Sequence, residues 1–135
     1  MAALTADRDT PLRDGKQFEF PVAASTKIYA GALVALNSSG LAVPGSTSTT
    51  LKCVGRADAQ ADNSAGAASA INVKTRRGVF RFGNSSAGDL IALADVGASC
   101  YIVDDQTVAK TNGGSTRSVA GVIRDVDASG VWVEI

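Results

Sequence analysis

Short stretches in which apolar and polar residues alternate recur along this chain, and they predict β-strands. In QFEFPV (17–22), Phe18, Phe20 and Val22 fall on one face, and Gln, Glu and Pro fall on the other. INVKT (71–75) shows the same period of two. Because such alternation fits a sheet with one face in a core, each stretch predicts a half-buried strand.

Other segments are more evenly apolar and are separated by turn residues. KIYAGALVALN (27–37) is interrupted by Gly31, and LKCVGRADA (51–59) contains a glycine that suits a β-bulge. SCYIVDDQTVAKT (99–111) predicts a hairpin with Asp104, Asp105 and Gln106 at its turn. Further predicted strands are LAVP (41–44), TRRGVFRF (75–82), RSVAGVIRDVD (117–127) and GVWVEI (130–135).

Small and polar residues mark the connections between these strands. The predicted loops are 37–40, 45–50, 60–70, 84–89 and 112–116. Only LIALADVG (90–97) suits a helix, of about one turn ended by Gly97. About eight to ten short strands, with turns every ~8–12 residues, predict an all-β fold, either a β-sandwich or a β-barrel-like domain.

The first sixteen residues differ from the rest of the chain. MAALTADRDTPLRDGK carries both charges, Pro11 and Gly15, and shows neither strand alternation nor a helical stripe. It is interpreted either as a frayed terminus or as an arm that becomes ordered on a neighbour. It lacks the apolar core of a signal peptide. We therefore expect an extended N-terminal arm (1–16) and a single β domain (17–135).

Composition supports one globular domain with an aliphatic core. The chain has 135 residues, of which 45% are hydrophobic and only 5% are aromatic. A chain of this length buries roughly two-thirds of its unfolded surface, which is enough for one core. Valine, isoleucine, leucine and alanine must supply most of that core. No run approaches the roughly 20 apolar residues of a membrane span, so no membrane partner is expected.

Charge and histidine content argue against several functions. Thirteen basic residues balance thirteen acidic ones, whereas nucleic-acid-binding domains usually carry a basic excess. Histidine is absent, which removes the commonest general base and the commonest zinc ligand. We therefore expect no enzymatic activity, no metal, no cofactor and no nucleic-acid partner. Cys53 and Cys100 lie in apolar strand-like runs and are interpreted as buried thiols rather than a disulfide.

Two acidic pairs and two asparagines could carry chemistry of their own. Asp104–Asp105 and Asp125 with Asp127 lack the ligand spacing of a calcium loop, so they are interpreted as turn residues. Asn37 and Asn84 begin NSS sequences that fit the glycosylation pattern. That pattern is weak without a secretion signal.

The stretch TRRGVFRF holds the densest group of basic residues. As one strand, it would place Phe80 and Phe82 in the core and Arg77 and Arg81 on the outer face, with no aromatic beside them to stack on bases. An outer arginine guards a strand edge or pairs with a carboxylate of another protein. The predicted protein-interface residues are Arg8, Arg13, Arg76, Arg77 and Arg81.

Four segments, taken in order, resemble one known family. These are IYAGALVALNSSGLAVPG (28–45), DNSAGAASAINVKTRRGVFRF (62–82), VGASCYIVDDQTVAKT (96–111) and RSVAGVIRDVDASGVWVEI (117–135). Together they are similar to the small phage head-decoration, or capsid cement, proteins of the DUF2190 type. The first sixteen residues match this family less clearly.

The resemblance implies a structural virion protein without enzymatic activity. It would be made in the bacterial host cytoplasm and would bind the outer surface of the capsid, where it would clamp neighbouring major capsid subunits. A homotrimer is expected from related cement proteins, and a dimer is the alternative. Two other functions stay open at this point: a phage tail or baseplate β module, and a virion-surface carbohydrate-binding domain that would use Trp132 or Tyr29.

Overall fold

The structure is a computed structural model that describes residues 2–135. Its regular elements are twelve β-strands and two single 3₁₀ turns, Ala87–Asp89 and Leu93–Asp95. The strands are β1 Gln17–Pro21, β2 Thr26–Ile28, β3 Leu33–Leu36, β4 Ala42–Pro44, β5 Lys52–Ala57, β6 Ala61–Asn63, β7 Asn72–Arg76, β8 Val79–Phe82, β9 Ser99–Ile102, β10 Val108–Ala109, β11 Val119–Asp127 and β12 Gly130–Glu134. The predicted all-β class is confirmed.

Ten of the strands form two five-stranded antiparallel sheets. The first sheet has the order β1-β7-β5-β3-β4, the second has the order β10-β9-β11-β12-β8, and β2 pairs with β6 in a separate small sheet. In each large sheet, the two outer strands approach each other at one end only. A parallel bridge joins Val22, just after β1, to Ala42 in β4, and another joins Gly83, just after β8, to Thr107 beside β10. Both large sheets are therefore barrel-like at one end, which shortens their open edges.

Two clusters of buried residues follow from this layering. One fills the space between the large sheets: Leu33 and Ala35 of the first sheet pack with a set from the second sheet and its loop. That set is Phe82, Ile91, Cys100, Ile102, Val108, Ala120, Ile123, Val131 and Val133. The other cluster lies on the opposite face of the first sheet, beneath the small sheet, and contains Val22, Ile28, Val34 and Val73.

Strand β3 shows why one part of the sequence does not alternate. Leu33 and Ala35 belong to the first cluster and Val34 belongs to the second, so both faces of this strand are covered. A strand with two buried faces reads as a continuous apolar run. The predicted interruption at Gly31 is also present: its φ of 85° turns the chain between β2 and β3.

Several predicted boundaries are wrong in detail. The interval 60–70, predicted as a loop, contains β6, and the helix expected at 90–97 is only the 3₁₀ turn Leu93–Asp95. The hairpin at 99–111 is confirmed, with Val108 opposite Ile102 and Ala109 opposite Tyr101. The irregularity predicted within 51–59 is also confirmed, because the β3–β5 register shifts beside Gly55. A Cβ at Gly55 would lie 2.5 Å from the Arg76 carbonyl oxygen.

The stretch 75–82 is two strands and not one. β7 ends at Arg76 opposite Gln17 in the first sheet, whereas β8 pairs with β12 in the second sheet. The break is fixed by two backbone hydrogen bonds between Gly78 and Ile135. The prediction that Arg77 and Arg81 share a strand face is therefore wrong, since the chain changes sheets between them.

The two phenylalanines of this stretch point inward to different extents. Phe82 is 5% exposed and belongs to the cluster between the large sheets, as predicted. Phe80 is only partly buried at the margin of that cluster. The Arg56 guanidinium lies over its ring at 4.6 Å from the centroid.

Candidate protein-interaction surface

The N-terminal arm has no regular secondary structure and lies in solvent. Every residue from Ala2 to Lys16 is exposed, and Leu4 and Leu12 keep 73% and 99% of their surface accessible. Fifteen residues can span about 50 Å when extended, which exceeds the roughly 35 Å diameter expected of a domain of this size. The arm can therefore reach a neighbouring molecule.

The root of the arm is held on the domain by short-range contacts. The Arg77 amide donates to the Lys16 carbonyl oxygen at 2.8 Å, and the Lys16 amide donates to Asp14 Oδ1 at 3.0 Å. The Arg13 guanidinium stacks over the Phe18 ring at 4.9 Å. Arg13 thereby sits in a cleft of about 580 Å³, the polar cleft, lined by Arg13, Gln17, Phe18, Glu19, Asp58, Lys74 and Thr75.

Asp58 pairs with two arginines beside the polar cleft. It pairs with the Arg56 guanidinium, and Arg76 Nε donates to its Oδ2 at 3.2 Å. The hydrogen bond from Arg56, reinforced by Arg76, lowers the pKa of the Asp58 carboxyl below its ordinary value. Arg76 therefore already has an intramolecular partner.

Arg77 borders a different concavity, which is mostly apolar. This apolar groove of about 370 Å³ is lined by Phe18, Phe20, Cys53, Val54, Arg77 and Ile135. Phe18 and Phe20 stack with their ring centroids 6.3 Å apart. Arg77 is exposed and supplies the only charged side chain among the lining residues.

Arg81 lies in a third concavity, here called the arginine cleft. Its volume is about 440 Å³, and it is lined by Gly31, Arg56, Val79, Phe80, Arg81 and Trp132. Each arginine lies over an aromatic ring: Arg56 over Phe80, and Arg81 over Trp132 at 5.8 Å. Cation–π contacts of this kind hold a guanidinium in a defined position.

Trp132 is fixed from its other end by Asp127. The indole Nε1 donates to Asp127 Oδ2 at 2.8 Å, and this bond is the main cause of the lowered pKa of the Asp127 carboxyl. Trp132 stands directly opposite Arg81 across the β8–β12 pair. The expectation that no aromatic shares the outer face with Arg81 is therefore wrong, because the aromatic comes from the neighbouring strand.

The predicted interface arginines thus fall in separate places. Arg8 is exposed in the arm, Arg13 and Arg76 flank the polar cleft, Arg77 borders the apolar groove and Arg81 lines the arginine cleft. Arg56 and Trp132 complete the arginine cleft; sequence reasoning missed Arg56 and considered Trp132 only as an aromatic for carbohydrate binding. Pairing of β8 with β12 brings Trp132 beside Arg81, and packing of the first sheet against the second brings Arg56 there, so no local pattern reveals either residue.

The acidic turn residues accept backbone hydrogen bonds. Asp104 Oδ1 accepts from the Gln106 amide at 2.9 Å, and Asp127 Oδ1 accepts from the Ser129 and Gly130 amides. Asp125 Oδ1 accepts from the Val126 amide at 2.8 Å. The predicted turn role is confirmed for Asp104 and Asp127, whereas Asp125 lies within β11, where the register with β12 shifts. Within residues 2–135, no group of three or more histidine, cysteine, aspartate or glutamate side chains could hold a metal.

The cysteines and the NSS asparagines have structural environments. Both thiols are free; Cys100 is buried, whereas Cys53 is partly exposed. Desolvation raises the pKa of Cys53 to about 12 and that of Cys100 to about 11, so both stay protonated at neutral pH. The Asn84 Nδ2 donates a hydrogen bond to the Ile91 carbonyl oxygen, and its Oδ1 accepts one from the Ile91 amide. The Asn37 Oδ1 accepts hydrogen bonds from the backbone amides of Ser39 and Leu41 in its own turn.

Comparison with known proteins identifies no relative of this chain. No family model, no curated protein and no solved structure matches it. In the part of the chain from Ala2 onward, no helix is long and apolar enough to cross a membrane.

Proposed function

We propose that this protein is a decoration, or cement, protein that binds the outer surface of a phage capsid and stabilises the shell. The proposal rests on the resemblance of residues 28–135 to that family and on one structural observation. This observation is the exposed arm, whose apolar Leu4 and Leu12 contact no core of their own domain.

Apolar side chains held in water are unfavourable unless another surface covers them. Burying a leucine contributes roughly 1.5–3 kcal/mol. The burial of Leu4 and Leu12 therefore contributes its free energy when a neighbouring protein covers them. The domain itself is compact, with both large sheets curled at one end and two clusters of buried residues. A rigid body that docks on one subunit, with an arm that reaches beyond it, is suited to linking adjacent positions of a repeating shell.

Multivalency explains how modest contacts could hold such a protein in place. Once the domain is docked, the arm binds at a high effective concentration, and avidity can exceed either single affinity by roughly 10²–10⁴-fold. A ligand that prefers the assembled shell also stabilises that assembly by mass action. The exposed arginines 77 and 81 are suited to pairing with carboxylates at such contacts.

Deletion of residues 2–14 is expected to weaken attachment to purified capsids that lack this protein by roughly 10²-fold or more, because the avidity term is lost. Thermal unfolding should stay cooperative with little change in Tm, because the arm is fully exposed. The measurement is a sedimentation assay of capsid occupancy against protein concentration. A full-length variant with Leu4→Ser and Leu12→Ser tests the apolar contacts at constant arm length. Unchanged occupancy by the truncated protein would refute the role of the arm, and no saturable binding by the wild type would refute the decoration function.

Binding of double-stranded DNA is expected to be negligible near physiological salt. The formal net charge is zero, and Arg56 and Arg76 are already paired with Asp58. Nonspecific DNA-binding domains reach a Kd of roughly 10⁻⁴–10⁻⁶ M by releasing counterions from several phosphates. Fluorescence anisotropy across a salt series measures this. Tight binding with a steep negative salt slope would show phosphate contacts and would favour a nucleic-acid function instead.

A further inference from the structure

Strand β8 has an edge that no other strand covers. Within residues 2–135, Val79–Phe82 pair with β12 alone, and the second edge of the sheet is joined only after β8 ends, at Gly83. The arginine cleft runs along this free edge. The cleft is lined by Val79 and Arg81 from one face of β8 and by Phe80 from its other face. Gly31, between β2 and β3, also lines it. A strand-shaped ligand fits such a site, because the free amides and carbonyls of β8 would pair with it.

The cleft is suited to an acidic ligand. Arg81 is exposed and forms no ion pair within residues 2–135; the nearest carboxylate, Asp127, interacts with its charge from a distance and is held by the Trp132 indole. Its guanidinium is already positioned over Trp132, so less conformational entropy is lost when it binds a carboxylate. Val79 is 45% exposed beside it and offers an apolar contact.

The arm contains a segment with the matching pattern. In TADRDT (5–10), Asp7 and Asp9 are two residues apart, so an extended backbone places both carboxylates on one side, about 6–7 Å apart. Arg8 falls on the opposite side, away from the arginines of the cleft. This segment is exposed and has no strand or helix partner within residues 2–135.

We propose that residues 5–10 of one copy dock as a strand along β8 of a second copy, with Asp7 or Asp9 paired to Arg81. The root of the arm lies near the arginine cleft, since Lys16 bonds the Arg77 amide and Arg56 pairs with Asp58 of the polar cleft. A second copy is nevertheless favoured over the same chain, because the arm of the same chain is exposed from Ala2 to Lys16 and does not occupy the arginine cleft in this structure. From Lys16 to Asp9 the extended chain spans about 23 Å, enough to cross to an adjacent molecule. The inference goes beyond the proposed function, since it concerns association without any shell.

The charges allow a reciprocal test by charge exchange. Full-length wild type is expected to self-associate in analytical ultracentrifugation. Asp7→Arg with Asp9→Arg, or Arg81→Asp, should each weaken association at least tenfold. Combining the two changes in one chain should restore most of it, because the exchanged charges attract again. Lys52→Asp is the matched control: Lys52 is exposed on β5, forms no ion pair, and undergoes the same charge change as Arg81. Circular dichroism checks that each variant is folded.

Three results would overturn this proposal. These are a wild type that stays monomeric up to about 1 mM, an association that the charge reversals leave unchanged, and an exchanged pair that fails to restore it. The experiment contains no capsids, so its outcome is separate from that of the attachment assay. A chain that associates through this cleft but does not bind shells would refute the decoration function and leave the arm–cleft contact standing.

Discussion

Replacement of Phe82 by alanine is expected to destabilise the protein by about 3–5 kcal/mol, the usual cost of truncating a buried phenylalanine. Phe82 is 5% exposed and contributes a large ring to the cluster between the two sheets. The chain has only four phenylalanines, so few other side chains can fill the volume that the ring leaves. Strands surround it, and a closely packed sheet interior relaxes only in part around a cavity.

Urea unfolding followed by tryptophan fluorescence measures this loss, since Trp132 lies on the strand paired with β8. The midpoint should fall while the m-value stays constant, which shows that stability and not the denatured state has changed. Phe80→Ala is the matched control. Its ring is partly exposed and stacks under Arg56, so its loss should be clearly smaller. A loss below about 1 kcal/mol for Phe82, or equal losses at both positions, would contradict the assignment of Phe82 to the core.

The sequence predicts the fold class because alternation and turn chemistry are local. QFEFP, LVAL and GVWVE become β1, β3 and β12, and the glycine irregularity at Gly55 is also found. The face of the 17–22 strand expected inside is only partly buried, because Phe18 lines a surface groove, whereas Val22 is in the core. These features depend on the period of a pleated strand and on turn residues within a few positions. Tertiary contacts do not need to be known for them.

The arrangement of the strands depends on distant residues, and the errors follow from that. The segment 75–82 has an unbroken strand pattern, yet the backbone crosses from one sheet to the other at Gly78, where its hydrogen-bond partner is Ile135, far along the chain. Strand β6, which pairs with β2, is also not predicted from the sequence. Its buried residues, Ala61 and Asn63, are small or polar and give no apolar alternation. A buried asparagine that bonds the carbonyl oxygens of Ala23 and Ala67 gives no apolar signal.

The sequence predicts which arginines could form the candidate surface, but not the concavities in which they lie. Arg77 and Arg81 are both exposed, but one borders an apolar groove and the other an aromatic cleft, which makes them suited to different contacts. Trp132 becomes the partner of Arg81 only through the β8–β12 register. Charge balance and the polar arm can be read from the sequence alone, whereas the free edge of β8 depends on the sheet order.

Gly130→Ala is expected to cost about 2–6 kcal/mol, the sum of roughly 1–3 for overpacking and 1–3 for backbone strain. Gly130 has a φ of 153°, and a Cβ there would lie 2.3 Å from the Phe82 carbonyl oxygen. The turn of Asp127 to Gly130 starts β12, which carries Val131 and Val133 into the core and pairs with β8. A shift at Gly130 therefore displaces both strands of the pair beside the arginine cleft.

The matched control for this change is Gly88→Ala, in a 3₁₀ turn where an added Cβ meets nothing within 4 Å. It should alter stability by no more than about 0.5 kcal/mol, since it neither clashes nor needs a left-handed backbone. Differential scanning calorimetry on both variants gives the comparison directly. If Gly130→Ala unfolds at the wild-type temperature, the close approach of β12 to the Phe82 carbonyl is not a constraint on this fold.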